Sequence, residues 1–493
     1  MWTFLTERTE DTEEKMRNKN SVNSVGSVRE CGMSETLPKN WQNVPLGNIA
    51  QYINGRAFKP HEWETSGLPI IRIQNLTKST DTVNYTSKEH EEKYFVKDGD
   101  ILMAWSATLD VFVWDDGPAW LNQHIFNVKE LSIVDRKFLF YALKRAISEF
   151  YSKTHGTGMV HVTKPIFEAH EIPFPPLNEQ KRIVAKLDAI IPRIDSVKAR
   201  LDKVPTLIKR FRQSVLTAAV TGKLTEKWRE AHPEVESAEV LVTINNFEIN
   251  HNFKVVGEIP KKWCWCALGN YAQLSRGRFS IRPRNDPRYY NGDYPFIQIG
   301  DLPREGGYVN EHKQTLNEKG VKVSKAFEKN TIAIAIVGAT IGNTGILSYK
   351  MCFPDSLIGV VTKTKNTSIF TEYYLRTEKE NIRNISYSSG GQPNIKLPTL
   401  TDYPFPLPPL EEQKEIVRQV DKLFALADRL ETHYQNAKCR IDKLSQSVLA
   451  KAFRGELVPQ DPNDEPAEKL LERIMEEKAR LSRSTQRPRR KKN

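Results

Sequence analysis

Glycine clusters, cysteines and histidines are where a 493-residue chain of this kind would carry chemistry. Their spacings exclude the familiar kinds. Gly338, Gly342 and Gly345 in GATIGNTG, and Gly156 and Gly158 in GTG, match neither the dinucleotide fingerprint nor the phosphate loop with its Lys-Ser/Thr, so they read as turns between strands. Cys264 and Cys266 form a lone C-x-C between and beside Trp263 and Trp265. No second pair stands at zinc-site spacing, and buried apolar cysteine is the better reading. The histidines form no H-x-x-x-H helix face, and no metal site is expected. Also missing are an Asn-Pro-Pro-aromatic element for adenine methylation, a carboxylate and lysine cluster of the nuclease kind, and an ATP motif. What remains is charge. A net charge of +12 favours a polyanionic partner, because each phosphate met by Lys or Arg releases counterions. The chain reads as one that binds, with catalysis delegated elsewhere.

Two long stretches must position whatever binds. In Pro176–Leu224 the residues Ile183, Leu187, Ile190, Ile194, Val197, Leu201, Val204, Ile208, Phe211 and Val215 follow at steps of four and three, the heptad pattern of a coiled-coil seam. In Pro409–Leu457 the residues Ile416, Val420, Leu423, Ala427, Leu430, Tyr434, Ala437, Ile441, Leu444 and Val448 repeat it, each 233 positions later. Glu179/Glu412, Gln180/Gln413 and Gly222/Gly455 mark the ends of both copies. Proline-rich lead-ins, Asn178 as an N-cap and Glu179, Glu411 and Glu412 near the positive end of the dipole predict where the helices start. Pro205 is expected to kink or break the first helix, while the second copy, with Ala425 and Lys438 where the first has Pro192 and Pro205, should run straighter.

The repeat extends beyond the helices. Leu37–Arg56 matches Ile259–Arg278 at an offset of 222 through Pro38/Pro260, Trp41/Trp263, Gly47/Gly269, Gly55/Gly277 and Arg56/Arg278. The offset grows to 226 at Pro69/Pro295, so the second copy has taken in residues between these landmarks. Apolar runs at 70–73, 101–105, 111–114 and 125–128, with partners at 296–299, 332–337 and 358–361, predict strands, and 138–151 and 370–385 predict helices. The fold class expected is mixed α/β: two globular domains with strand-rich cores and two long coiled-coil helices, in tandem repeat. A faint third match, 237–244 with 466–474, predicts a short helix closing each half.

Residues 1–33 are polar and expected to be disordered, and they carry no signal-peptide pattern. Five scattered cysteines suit a reducing compartment, and no apolar run has the length of a membrane span, so a cytoplasmic protein away from membranes is expected.

The helix starts PFPPLNEQKRIVAKLD and PLPPLEEQKEIVRQVD, the GKLTEKWRE stretch and the closing GELVPQDPNDEPAEKLLERI, set in this tandem order, resemble the specificity subunit of type I restriction-modification systems over roughly residues 34–482. The resemblance implies target-recognition domains at 34–175 and 259–408 and helical regions at 176–258 and 409–482 whose long helices lie antiparallel as a ruler, while the first 32 residues and a basic tail at 483–493 depart from the family's usual form. It implies that this subunit is non-catalytic and reads a split, asymmetric sequence in double-stranded DNA. It further implies two docked modification subunits that use S-adenosylmethionine, and restriction subunits that use ATP and Mg. Bidentate Arg on guanine and Asn or Gln on adenine are the contacts to seek. Candidates in or beside Gly/Pro-rich turns are Arg56, Lys59, Arg72, Gln74 and Asn75 in the first domain, and Arg276, Arg278, Arg282, Arg284, Gln298 and Arg304 in the second. Each can equally be read as a solvated surface charge or polar group. A stand-alone DNA-binding regulator and a coiled-coil scaffold without a DNA role are the rival readings.

Overall fold

The structure, a computed structural model, describes residues 37–106, 108–131, 133–153, 163–244, 257–387 and 393–485. The arm at 1–33, the Gly156/Gly158 turn and residues 486–493 of the basic tail lie outside the described residues. The described chain divides into two compact units: one runs up to Arg193 and resumes at Lys443, and the other is Ile194–Asp442. Each unit holds one globular region and parts of both helical copies.

In the first unit the strands are β1 (Gln42–Pro45), β2 (Ala50–Asn54), β3 (Leu68–Ile71), β4 (Asn84–Thr86), β5 (Phe95–Val96), β6 (Ile101–Ser106), β7 (Thr108–Val113), β8 (Ala119–Leu121), β9 (Ile125–Glu130) and β10 (Glu171–Phe174). They form sheets of order β2-β9-β6-β7 and β4-β3-β8-β5 and the pair β1-β10. The first four residues of β6 and of β9 are buried, as expected of central strands covered on both faces. Phe138, Leu139, Ala142, Leu143 and Ala146 of the Arg136–Lys153 helix are buried with them.

The second unit has β11 (Cys264–Ala267), β12 (Gln273–Arg276), β13 (Tyr290–Phe296), β14 (Tyr308–Val309), β15 (Gln314–Leu316), β16 (Ala326–Phe327), β17 (Ile332–Ala335), β18 (Thr344–Leu347), β19 (Met351–Cys352), β20 (Leu357–Val361) and β21 (Pro404–Leu407). Its sheets are β12-β20-β17-β18-β14 and β15-β13-β19-β16, with the pair β11-β21. Strand for strand these are the orders of the first unit, with β14 added in parallel beside β18. The repeat seen in sequence is therefore a repeat of topology. Several boundaries differ from expectation: the strand expected at 70–73 stops at Ile71, where a short helix opens at Ile73, and that expected at 332–337 stops at Ala335. Of 296–299 only Phe296 is in a strand, because the Asp301 carboxylate accepts the Gln298 N–H at 2.8 Å and turns the chain into a short 3-10 helix, Ile299–Asp301. The helix expected at 370–385 is two, Lys365–Thr377 and Lys379–Tyr387.

The first-copy helix is Leu177–Leu201, resumed as Val204–Val220, whereas the second runs unbroken over the 44 residues Leu410–Phe453. The break has a covalent cause. Pro205 offers no N–H to the carbonyl four residues back, which belongs to Leu201, and its ring crowds that carbonyl, so the helix ends there and restarts with proline in its first turn. Pro192 is carried inside the helix without a break. Asn178 lies one residue inside the helix rather than capping it, since the first turn already begins at Leu177.

Within Ile194–Asp442 the two helices run antiparallel. Lys198 pairs with Asp442 at 2.9 Å, Asp202 with Lys438 at 3.3 Å and Arg212 with Asp428 at 2.6 Å, so each step forward on one helix is a step back on the other. Combined with the 233-residue repeat, this register maps onto itself about a point between Lys203 and Val204 on one helix and between Asn436 and Ala437 on the other. The break at Pro205 sits on that pseudo-twofold point. The expected seam is uneven. Ile183, Leu187, Ile194, Ile208, Val215, Ile416, Val420, Ala427, Tyr434 and Val448 are buried, and Ile190, Leu201, Val204, Phe211, Leu423, Ala437 and Ile441 partly so. Val197, Leu430 and Leu444 are exposed. A straight helix drifts about 20° per heptad against a 3.5-residue repeat, which carries some seam positions off the contact line; Val197 and Leu430 are counterparts in the repeat.

Candidate nucleic-acid interface

Each unit ties the start of its globular region to the segment that follows the other copy's helix. In the first, Trp41 Nε1 donates to Glu179 Oε2 at 2.9 Å, Gln180 Nε2 donates to the Pro175 carbonyl at 2.9 Å, and Ala467 N donates to the Asn40 carbonyl at 3.0 Å. In the second, Trp263 Nε1 donates to Glu412 Oε2 at 2.8 Å, Gln413 Nε2 to the Pro408 carbonyl at 2.9 Å, and Ala238 N to the Lys262 carbonyl at 2.9 Å. Gly455 and Gly222, with φ of +76° and +74°, lie against Pro38 and Pro260, where a Cβ would collide. Both globular regions thus stand on the same framework.

On that framework several of the candidates gather at one end of the β4-β3-β8-β5 sheet and of its counterpart, β15-β13-β19-β16. In the first unit β3 and β8 run parallel, and at their ends Asn122 N donates to the Ile71 carbonyl at 3.1 Å while Arg56 N donates to the Leu121 carbonyl at 2.9 Å. Arg56, Asn122 and Arg72 therefore sit side by side. Gly55 allows this approach, since a side chain there would strike the Asn122 carbonyl. Arg56 itself is spoken for: it pairs with Glu62 at 2.5 Å and lies over the Phe58 ring at 4.8 Å. Its hydrogen bond, followed by that of the Lys59 N–H, holds the Glu62 carboxyl down to about 2. Asn75 uses both ends of its amide, accepting from Arg72 N at 3.0 Å and donating to the Thr82 carbonyl at 3.0 Å, so it builds the turn. The Arg72 guanidinium lies 5.3 Å from the Trp63 ring, and Lys59 and Gln74 are exposed.

The second unit repeats the layout with other side chains. Arg278 N donates to the Phe353 carbonyl at 3.0 Å, and Ile297 N to the Cys352 carbonyl at 2.9 Å. Gln298 stands where Arg72 does, its N–H received by Asp301 as Arg72's is by Asn75. Its side-chain amide donates to Gln314 Oε1 at 2.6 Å. Arg278 is spent on the Ser324 carbonyl at 2.9 and 3.3 Å, while Arg276, Arg282 and Arg284 converge on Asp355. Arg304 is not brought to this cluster: its loop carries Gly306, which packs against Glu372 and Arg376 of the Lys365–Thr377 helix. Sequence reasoning missed Asp355, a lone acid far along the chain from the arginines it meets.

Among the described residues no group of three His, Cys, Asp or Glu could hold a metal ion, and no helix is long and apolar enough to cross a membrane. Cys264 and Cys266 are buried free thiols, the latter pushed far above the ordinary range by burial.

The family described as type I restriction modification DNA specificity domain matches at residues 38–206 and again at 260–437. The specificity subunit of the type I restriction enzyme EcoBI from Escherichia coli is 30% identical over 471 residues, covering 89% of this chain and 93% of its own. The EcoKI specificity subunit of Escherichia coli strain K12 is 28% identical over 90% of this chain and 96% of its own. Two solved chains share the fold at 20% identity and 85% coverage of this chain. One comes from work on complex assembly in the type I R-M system, with a TM-score of 0.62 and 99% of that chain covered. The other is the HsdS subunit from Thermoanaerobacter tengcongensis, with a TM-score of 0.50 and 98% covered. With both globular regions matched, and a relative at this identity spanning nearly the whole chain, the protein belongs to the family of type I restriction-modification DNA specificity proteins.

Proposed function

We propose that this chain gives a type I restriction-modification complex its DNA sequence specificity, without catalysing a step itself. The domains at 34–175 and 259–408 each read one half of a bipartite duplex target. The carrying observation is the pair Arg72 and Gln298: one backbone frame, two different side chains, one suited to guanine and the other to adenine. Duplicated frames with unlike readers address an asymmetric site. The helices set the spacing between half-sites and, with the segments that follow them, dock two modification subunits and then restriction subunits. S-adenosylmethionine, ATP and Mg belong to those partners.

Co-expression with a type I modification subunit tests this reading. The expected result is a complex with two modification subunits per chain that methylates adenine in a split sequence, while the isolated chain incubated with S-adenosylmethionine and DNA transfers no methyl group. Methylation of an unsplit site, or robust transfer by the isolated chain, would overturn it.

A further inference from the structure

The segment between Arg278 and Pro295, longer by four residues (226 − 222) than its counterpart between Arg56 and Pro69, carries Arg282 and Arg284. Both guanidinium groups meet one carboxylate: Arg284 at Asp355 Oδ1 and Arg282 at Oδ2, the latter at 3.5 Å. Arg276 joins them through its Nε, which donates to the Asp355 backbone carbonyl at 2.6 Å. Among the described residues Asp355 is the one acid in ion-pair reach of Arg282 and Arg284, so three positive charges gather about one negative and two remain over. The group is open to solvent, with side-chain exposures of 56%, 47% and 38% for Arg282, Arg284 and Asp355.

The gathering is built rather than incidental. Gly277 N donates to the Leu357 carbonyl at 2.9 Å and Arg278 N to the Phe353 carbonyl at 3.0 Å, which fixes the Asp355 loop against the end of β12. Any side chain at Gly277 would strike the Pro354 carbonyl. Arg282 Nη1 donates to the carbonyls of Phe279 and Ile281 at 2.9 and 2.8 Å, and Tyr290 Oη donates to the Arg284 carbonyl, holding the loop from below. A guanidinium has five N–H donors, and these hydrogen bonds leave part of each fork unused. Nearby Arg288 differs: Asp286 takes its fork with both oxygens and cancels its charge. In the first unit Gln123 occupies the position of Asp355, and no such seat forms there among the described residues.

We propose that Asp355 gathers Arg276, Arg282 and Arg284 into a seat for a backbone phosphate of duplex DNA, present on the second recognition domain alone. It rests on the DNA-binding reading above. The forks bind the non-bridging oxygens through charge-assisted hydrogen bonds, and the seat fixes the register of that domain on its half-site without reading a base. Asp355 acts as a positioning residue, because it orients two forks that would otherwise repel each other.

The test measures binding of the full chain, assembled with its modification subunits, to a mixed-sequence duplex across a salt series. If the unsubstituted complex shows no salt-dependent binding, the DNA reading itself fails. Given such binding, the R282Q/R284Q double variant should flatten the slope of log affinity against log salt by about 0.9 for each phosphate it no longer neutralises, and leave the bases selected from a random pool unchanged. D355A separates position from charge. Removing an acid should tighten DNA binding if only net charge mattered, whereas loss of the seat weakens binding and flattens the slope. Q123A in the first domain should change neither. An unchanged slope in the double variant, relaxed choice at one base position, or tighter binding by a D355A protein of unchanged melting temperature would each overturn the proposal.

Discussion

The Trp41 indole donates to a carboxylate of Glu179 at 2.9 Å, and the only acceptor atom left on that carboxylate, Oε1, is buried without a partner among the described residues. Its counterpart is better served. Glu412 takes Trp263 on Oε2 and receives Arg229 at 2.5 Å and Thr225 at 2.7 Å on Oε1. One framework position thus has two electrostatic settings.

Burial outweighs the Trp41 hydrogen bond and pushes the Glu179 carboxyl above its ordinary range. The folded state then holds the proton more tightly than the unfolded one, so the group favours folding below the ordinary carboxylate pKa and loses that contribution as pH rises through the raised value. Glu179→Gln keeps an oxygen for Trp41 and carries no charge. It is expected to raise Tm by about 2–4 °C at pH 7 and to change it little near pH 4, as read by calorimetry at both pH values.

Glu412→Gln should act in the opposite direction. It leaves the Arg229 charge without its partner in a site where Glu412 is 1% exposed. A loss of about 3 kcal/mol is expected, measured by denaturant unfolding. A neutral or stabilising result would show that the Arg229 pair contributes nothing to this joint.

A fragment ending near Val256 keeps Pro38 and Trp41 but lacks Gly455 and Ala467, which pack on this part of the chain. It retains Gly222 and Ala238, which play the same parts in the other unit. Two copies can each complete the other. The expected fragment is a dimer in sedimentation experiments and, with the modification subunit, recognises a palindrome of the first half-site; a folded monomer would count against this.

The antiparallel register also dictates how a spacer must be lengthened. Insertions at repeat-equivalent positions stay paired only at the pseudo-twofold point, after Lys203 and after Asn436. Four residues there add about 6 Å of rise. At ~3.4 Å per base pair, binding across targets of graded spacer length should shift to a preference one or two base pairs longer. An unchanged optimum in a folded variant would mean that these helices do not set the spacing.

Much of this was legible in the sequence, for reasons that differ by residue. The helices and their ends showed because heptads and proline are local signals: Pro205 breaks its helix where a missing N–H must. Glu179/Glu412, Gln180/Gln413 and Gly222/Gly455 stood out as shared residues, but not what they touch, since their partners lie at long range and spacing records only neighbours. The candidate cluster was partly visible. Arg56, Arg278 and Asn75 stand out by type and turn context, yet internal acceptors employ them, and only the folded chain brings up an acceptor such as the Ser324 carbonyl. Val197, Leu430 and Leu444 follow the heptad and are exposed nonetheless, because spacing along one helix does not record where its partner lies.

The packing of Pro38, Asn40 and Trp41 against Gly455, Ala467 and Glu179 has a consequence for synthesis on the ribosome. The first globular region leaves the exit tunnel long before the residues at Gly455 and Ala467 that finish its unit. The second unit, Ile194–Asp442, can close first although it is translated later. The Pro38–Trp41 segment therefore waits without its final cover until some four hundred residues have followed, roughly 20–80 s at ordinary rates of elongation. Premature termination anywhere before Gly455 would leave a nascent chain whose first unit never closes, and which displays the edge that another truncated copy could occupy.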